Sequence, residues 1–236
     1  MSIQKRSSQG YSASANYTFS KCEGHPTQGG GTPNVASGYM VPVSILNQPA
    51  DADARLDRDF GPCDTDRRHI FNLTATAESP DFENDAAHVI LSDWRLSGVF
   101  RASSGDVLNI TSGLDRALTG NTGVQRPDVV QGVNAYVQQG TTWLNPGAFA
   151  QPAQGTYGNV GRNAYRGPGF RTVDLSLVRA FRFANTHEIQ ARFEAFNAFN
   201  WVNYNAPTTV LNNANFGKIL GAGDPRIMQF AVKYSF

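Results

Sequence analysis

The chain has 236 residues, a formal charge of +1 and a mean hydropathy of −0.36; these values exclude a helical membrane protein and give no electrostatic case for nucleic acid as a partner. Aromatic residues, asparagines and 23 glycines are plentiful, a mix that favours strands and turns over helices. A membrane β-barrel stays open, because its strands are apolar on one face only and escape hydropathy windows.

The first stretch, "MSIQKRSSQGYSASANYTF", carries basic residues with no apolar segment behind them and does not read as a signal peptide. Six later segments alternate with period two, as strands do when successive side chains point to opposite faces. In "GYSASANYTFSKC", Tyr11, Ala13, Ala15, Tyr17 and Phe19 share one face against Ser12, Ser14, Asn16, Thr18 and Ser20. In "RRHIFNLTATAE", His69, Phe71, Leu73, Ala75 and Ala77 oppose Asn72, Thr74 and Thr76. In "SDWRLSGVFRAS", Trp94, Leu96, Gly98 and Phe100 oppose Arg95, Ser97 and Arg101.

The fourth, "FRTVDLSLVRAFRF", sets Val173, Leu175, Leu177, Phe181 and Phe183 against Asp174, Ser176 and Arg182, with Arg179 on the apolar side. The fifth, "HEIQARFEAFNAF", sets Ile189, Ala191, Phe193 and Ala195 against Gln190, Arg192 and Glu194. The last, "RIMQFAVKYSF", sets Met228, Phe230, Val232, Tyr234 and Phe236 against Ile227, Gln229, Ala231, Lys233 and Ser235. Each segment has roughly the 9–11 residues that a tilted strand needs to cross a bilayer.

The connections alternate in length. "SPDFENDAAHVIL" reads as a moderate turn region, and little more than "ANT" joins the fourth and fifth strands. Residues 23–66, 103–169 and 200–225 are long loops rich in Gly, Pro, Asn and Asp, with short extra strands expected in "YMVPVSIL" and "DVLNITSG". A compact soluble domain rarely carries structureless loops beyond about 12–15 residues. Short turns at one end and long loops at the other mark an outer-membrane barrel. The expected fold is therefore all-β, an antiparallel transmembrane β-barrel fragment of about 6–8 strands with long extracellular loops and short periplasmic turns. The competing reading is a soluble β-sandwich, which the charged faces carrying Arg95, Arg101, Arg192 and Glu194 disfavour.

Little in the chain points to catalysis. "DTDRRHIF" gathers Asp64, Asp66, Arg67, Arg68 and His69, but one carboxylate–histidine pair without a nucleophile or third ligand is weak as a centre. It reads as a charged strand mouth in which Asp66 pairs with the arginines. "GNVGRNAYRGPGF" lacks the strand–loop–helix context of a phosphate loop and reads as a loop with several positive-φ positions. Cys22 and Cys63 are too few for a zinc site and fit no redox motif. The expectation is a non-enzyme with no cofactor, no metal and no nucleic-acid partner.

With strands and loops placed, an ordered series of blocks resembles the TonB-dependent receptors of the Oar-like type. These are "LDRDFGPCDTDRRHIFNL", "WRLSGVFRASSG", "LNPGAFAQPAQGTYGNVGRNAYRGPGFRTVDLSLVRAF", "EIQARFEAFNAFNWVNY" and "FGKILGAGDPRIMQFAVKYSF". The resemblance implies that residues 1–236 are the C-terminal portion of a barrel of about 22 strands closed around a plug, with plug, energy-coupling box and signal peptide absent from this chain. It implies energy-coupled uptake of an unidentified ligand at the bacterial outer membrane, with the TonB complex engaged only through the missing N-terminal part. A non-transporting surface or adhesion barrel is the alternative.

The resemblance also implies that Phe230, Val232, Tyr234 and Phe236 form the C-terminal signal read by the barrel assembly machinery. Outer-membrane lipid would meet the apolar faces. Tyr11, Trp94, Phe181, Phe183, Tyr234 and Phe236 are expected near the periplasmic boundary, and Phe19, Phe71 and Phe100 toward the outer one. Arg179 is then costly unless it snorkels to the headgroups. Cys22 ends the first strand and Cys63 precedes the second, so strand order brings them near each other and, in an oxidising compartment, makes them a candidate disulfide. The alternative is two unrelated thiols.

Overall fold

The computed structural model describes residues 1–8, 10–26, 40, 57–83, 85–183 and 187–236. Seven strands form one antiparallel sheet: β1 (Ser2–Ser8), β2 (Tyr11–Phe19), β3 (His69–Glu78), β4 (Trp94–Ser103), β5 (Phe170–Phe183), β6 (His187–Phe196) and β7 (Ile227–Ser235). Each pairs with its neighbours in sequence, and β1 and β7 are the two open edges. All six expected strands are present. The seventh, β1, is an addition that the alternation did not reveal, because Ile3 is its sole apolar residue. Its place comes from backbone pairing, with Ile3 opposite Ala15 and Lys5 opposite Ala13.

Register keeps the two faces separate across the whole sheet. Ala13, Ala75, Gly98, Leu175, Ala195 and Met228 form one cross-strand row, and Tyr11, Ala77, Leu96, Leu177, Phe193 and Phe230 the next. Ser12, Thr76, Ser97, Ser176, Glu194 and Gln229 form a row on the opposite face. A slip of one residue would invert a strand's faces, so the apolar pattern itself fixes the pairing. Gly98 has a packing role in this row: a Cβ there would lie 3.2 Å from Leu175 Cδ2.

No second sheet covers the apolar face among the described residues. Met228 and Phe230 are 58% and 68% exposed. A sandwich would lay a second sheet about 10 Å above this face, whereas the other sheets are two-stranded ribbons within loops. The sandwich reading is thereby corrected. No helix among the described residues is long and apolar enough to cross a membrane; crossing is left to the strands.

The long loops differ most from expectation. They hold the protein's hydrophobic core, formed by Leu108, Ile110, Leu144, Ala148, Phe149, Val160 and Phe216, all from the β4–β5 and β6–β7 connections. Phe149 meets Phe216 and Tyr165 edge-on at 5.5 and 5.3 Å between centroids. Short ribbons pair Val107–Leu108 with Tyr165–Arg166, Asp128–Val129 with Phe149–Ala150, and Tyr136–Gln139 with Thr142–Leu144. Of "DVLNITSG" only Val107–Leu108 is a strand. "YMVPVSIL", apart from Met40, and "ANT" lie outside the described residues. The expected turn region before β4 contains a helix, α1 (Asp85–Leu91), where two alanines favour that conformation.

Leu175 lies in the middle of the apolar face and Ser176 on the polar one. Leu175→Arg should cost about 2–4 kcal/mol, the penalty for arginine at mid-membrane on a lipid-facing strand. Ser176→Arg should cost much less. Urea unfolding in lipid vesicles measures both, and equal costs would contradict the assignment of faces.

Candidate functional site

The polar face carries its charge in pairs. Arg95 Nε donates to Glu78 Oε1 at 2.8 Å and Arg101 Nη2 to Asp174 Oδ2 at 2.7 Å. Arg182 reaches both Asp93, at 2.7 Å, and Glu188, at 3.2 Å. Asn72 donates to Asn16 at 3.0 Å, Thr76 bonds Ser97 at 3.2 Å, and Gln229 bonds Glu194. Exposed pairs of this kind add little stability each. What they define is a wettable surface, and near the short-turn end it hollows into a recess of about 400 Å³ between Glu78, Arg95, Arg182 and Glu188.

At the other end, the segment before β3 clamps the loop cap through three aspartates. Arg126 donates from Nη1 to Asp59 Oδ1 at 2.7 Å and from Nε to the Val160 carbonyl at 2.8 Å, with both ionic side chains almost fully buried (2% and 0% exposed). The Met40 amide donates to the other Asp59 oxygen at 2.8 Å. Arg162 donates to Asp64 Oδ1 at 2.7 Å and to the Pro62 carbonyl at 3.1 Å. Arg166 bonds Asp66, whose other oxygen accepts from the Cys22 amide at 2.9 Å. Burial by itself would raise the Asp66 carboxyl; the Cys22 amide, Arg166 and Arg68 outweigh it and hold the group below its ordinary value.

The expected pairing of Asp66 thus exists, but its main partner comes from a distant loop. Of the adjacent arginines, Arg68 stands 3.6 Å from Asp66, while Arg67 turns to Asp106 and Ser103. His69 is elsewhere: its Nδ1 meets the Tyr17 hydroxyl at 2.7 Å on the apolar side. The glycine-rich segment is also corrected. Among its residues only Asn163 takes positive φ, at 52°, and its glycines serve close backbone approach. A Cβ on Gly158 would lie 2.1 Å from the Arg126 carbonyl oxygen.

The structure joins Cys22 and Cys63 in a disulfide, with a Cα–Cα distance of 5.4 Å. The Cys63 amide donates to the Cys22 carbonyl at 3.0 Å. Their sequence separation is 41, for which the chain-entropy model gives about 4 kcal/mol of stabilisation. The bridge fastens the β2 end to the segment that carries Asp64 and Asp66.

Aromatic residues mark both ends of the apolar face. At the short-turn end stand Tyr11, Trp94, Phe181, Phe183 and Tyr234, with Phe236 against Tyr234 at 5.8 Å. The Arg179 guanidinium lies 5.1 and 4.5 Å from the Trp94 and Phe181 rings, and Lys5 Nζ 3.6 Å from the Tyr11 ring. Phe230 and Val232 lie on the same face of β7. At the loop end stand Phe19 beside His69, then Phe71 against Phe100 at 5.7 Å. Sequence reasoning missed Trp201, which meets Phe100 at 6.3 Å and Phe199 at 5.2 Å. Its signal was the asparagines around it. Asn197 and Asn200 take positive φ, and Asn197 exchanges bonds of 2.9 and 3.0 Å with the Trp201 backbone.

Among the described residues no group of three or more His, Cys, Asp or Glu is placed to hold a metal ion. An antiparallel meander that is apolar outside and hydrated inside, with a folded loop cluster at one end, is the wall of an outer-membrane barrel. The chain belongs to the outer membrane beta barrel domain family, whose model matches residues 1–229, and its place is the bacterial outer membrane. No curated protein and no solved structure matches it.

Removing one partner of the buried pair separates a structural clamp from a surface contact. Asp59→Ala strands Arg126 and should cost about 3–5 kcal/mol, read as faster proteolysis of the cap in intact outer membranes. Asp106→Ala, where the carboxylate and its partner Arg67 are both exposed (55% and 41%), should change the cleavage rate far less. Equal cleavage of both variants would contradict the clamp.

Proposed function

We propose that the chain forms the C-terminal wall of a TonB-dependent receptor of the Oar-like type, serving energy-coupled uptake of a ligand gathered by the loop cap. One observation carries this reading: a hydrated inner face lies beneath a folded cap in a sheet whose two edges are unpaired. The inner-face side chains of Arg95, Arg101 and Arg182 are 58%, 51% and 66% exposed. A barrel of about 8 strands fills its interior with side chains, whereas a wider barrel, closed by further strands, would leave room for a plug. Further strands on β1 and β7 would satisfy the edges. The order of blocks along the chain supports the same family. On this reading the barrel assembly machinery receives β7, lipid covers the apolar face, and the TonB complex acts through an N-terminal part outside residues 1–236. We assign the protein no catalytic step, cofactor or nucleic-acid partner.

The cap supports a second reading. A rigid, disulfide-fastened surface on a barrel also suits adhesion without transport. Capture by the periplasmic domain of TonB separates the two. The polypeptide that carries residues 1–236, expressed from its own locus and solubilised in mild detergent, should be retained by that domain. Absence of retention, with surface binding of whole cells unchanged by a protonophore, would favour the adhesion barrel.

A further inference from the structure

The helix α1 interrupts the β3–β4 connection at the short-turn end, and its last three side chains are exposed. Val89, Ile90 and Leu91 are 67%, 60% and 49% exposed, a run of three large apolar residues where a turn would ordinarily be polar. The helix is nevertheless held firmly. Trp94 Nε1 donates to the Ile90 carbonyl at 2.9 Å, and Arg179 donates to the Val89 carbonyl. Ser79 and Trp94 exchange two bonds of 2.9 Å that close the loop's base. Buried Ser92 ties the loop further, accepting from the Phe82 amide at 3.3 Å.

Both anchors lie on the apolar face. Trp94 and Arg179 are register partners there, one row beyond Leu96 and Leu177. The exposed end of α1, Val89–Leu91, is therefore anchored at the margin of the surface that meets lipid. Short turns of outer-membrane barrels face the periplasm, which places the helix beside the inner leaflet of that membrane. An arginine stacked on Trp94 and Phe181 supplies the charge expected at the level of the phosphates.

We propose that α1 is an interfacial foot that lays Val89, Ile90 and Leu91 among the acyl chains of the periplasmic leaflet. Its occupant is phospholipid, chosen by continuity with the lipid-facing strands and by the cationic–aromatic collar beside it. This surface works whether the barrel transports or adheres. It also gives Arg179 a second duty: its bond to Val89 sets the helix at membrane level.

Fluorescence quenching tests the foot on the full polypeptide, folded in vesicles of phosphatidylethanolamine and phosphatidylglycerol. Single variants Ile90→Cys, Met228→Cys and Ser176→Cys are labelled with bimane; Cys22 and Cys63 are already bridged. Brominated acyl chains should quench the label at positions 90 and 228 several-fold more than aqueous iodide does, with the reverse at position 176. Quenching at 228 by lipid but at 90 by iodide would overturn the proposal. Protection of position 90 from both quenchers would overturn it too, because protein would then cover the helix.

Discussion

The buried Asp59–Arg126 pair is the constraint on which the loop end of this molecule depends. Two charges taken out of water are costly apart and tolerable only together, with their remaining hydrogen-bonding positions filled. Here the Met40 amide fills one and the Val160 carbonyl another. Satisfying both charges brings four separate segments, at Met40, Asp59, Arg126 and Val160, to one point. Arg162 and Arg166 then meet Asp64 and Asp66 at the same seam, and the disulfide fastens the end of β2 beside them.

This arrangement divides the protein into two halves that are stabilised by different surroundings. The cap has an ordinary hydrophobic core in which Ile110, Leu144 and Ala148 are wholly buried, so it can hold its shape in water. The sheet has a patterned surface in place of a core, and lipid must cover the face that a sandwich would cover with protein. Backbone pairing satisfies the strands' polar groups inside the membrane, except along the outer sides of β1 and β7. On the proposed function, the join between the halves is what matters. A firm cap beside a wet, charged face would present or collect a ligand without unfolding the wall.

Much of the wall was legible in the sequence. Long runs of strict alternation, such as Ile189 to Ala195, leave one register in which like faces meet. Strand β1 escaped because Ile3 and Lys5 give no pattern on their own; only the backbone of β2 reveals their place. The cap's core escaped for a different reason. Leu108, Leu144, Val160 and Phe216 come from scattered positions with no period, and tertiary contact alone makes them neighbours. Asp64 and Asp66 were visible as a charged group, but their arginines lie 98 and 100 residues away. The glycines near those arginines signalled special backbone, and close approach at Gly158 rather than positive φ was what they supplied.

Native-state hydrogen exchange of the protein in outer-membrane vesicles tests most directly whether the cap is a folded unit clamped to the wall. Amides that bond within the cap include Val160 to the Pro127 carbonyl at 3.0 Å, Leu144 to Gly217 at 3.1 Å and Phe216 to Asn213 at 2.9 Å. They should exchange slowly and lose protection together, as one cooperative unit. Exchange of these amides at the rate of an unstructured loop, while β4 and β5 remain protected, would contradict the account.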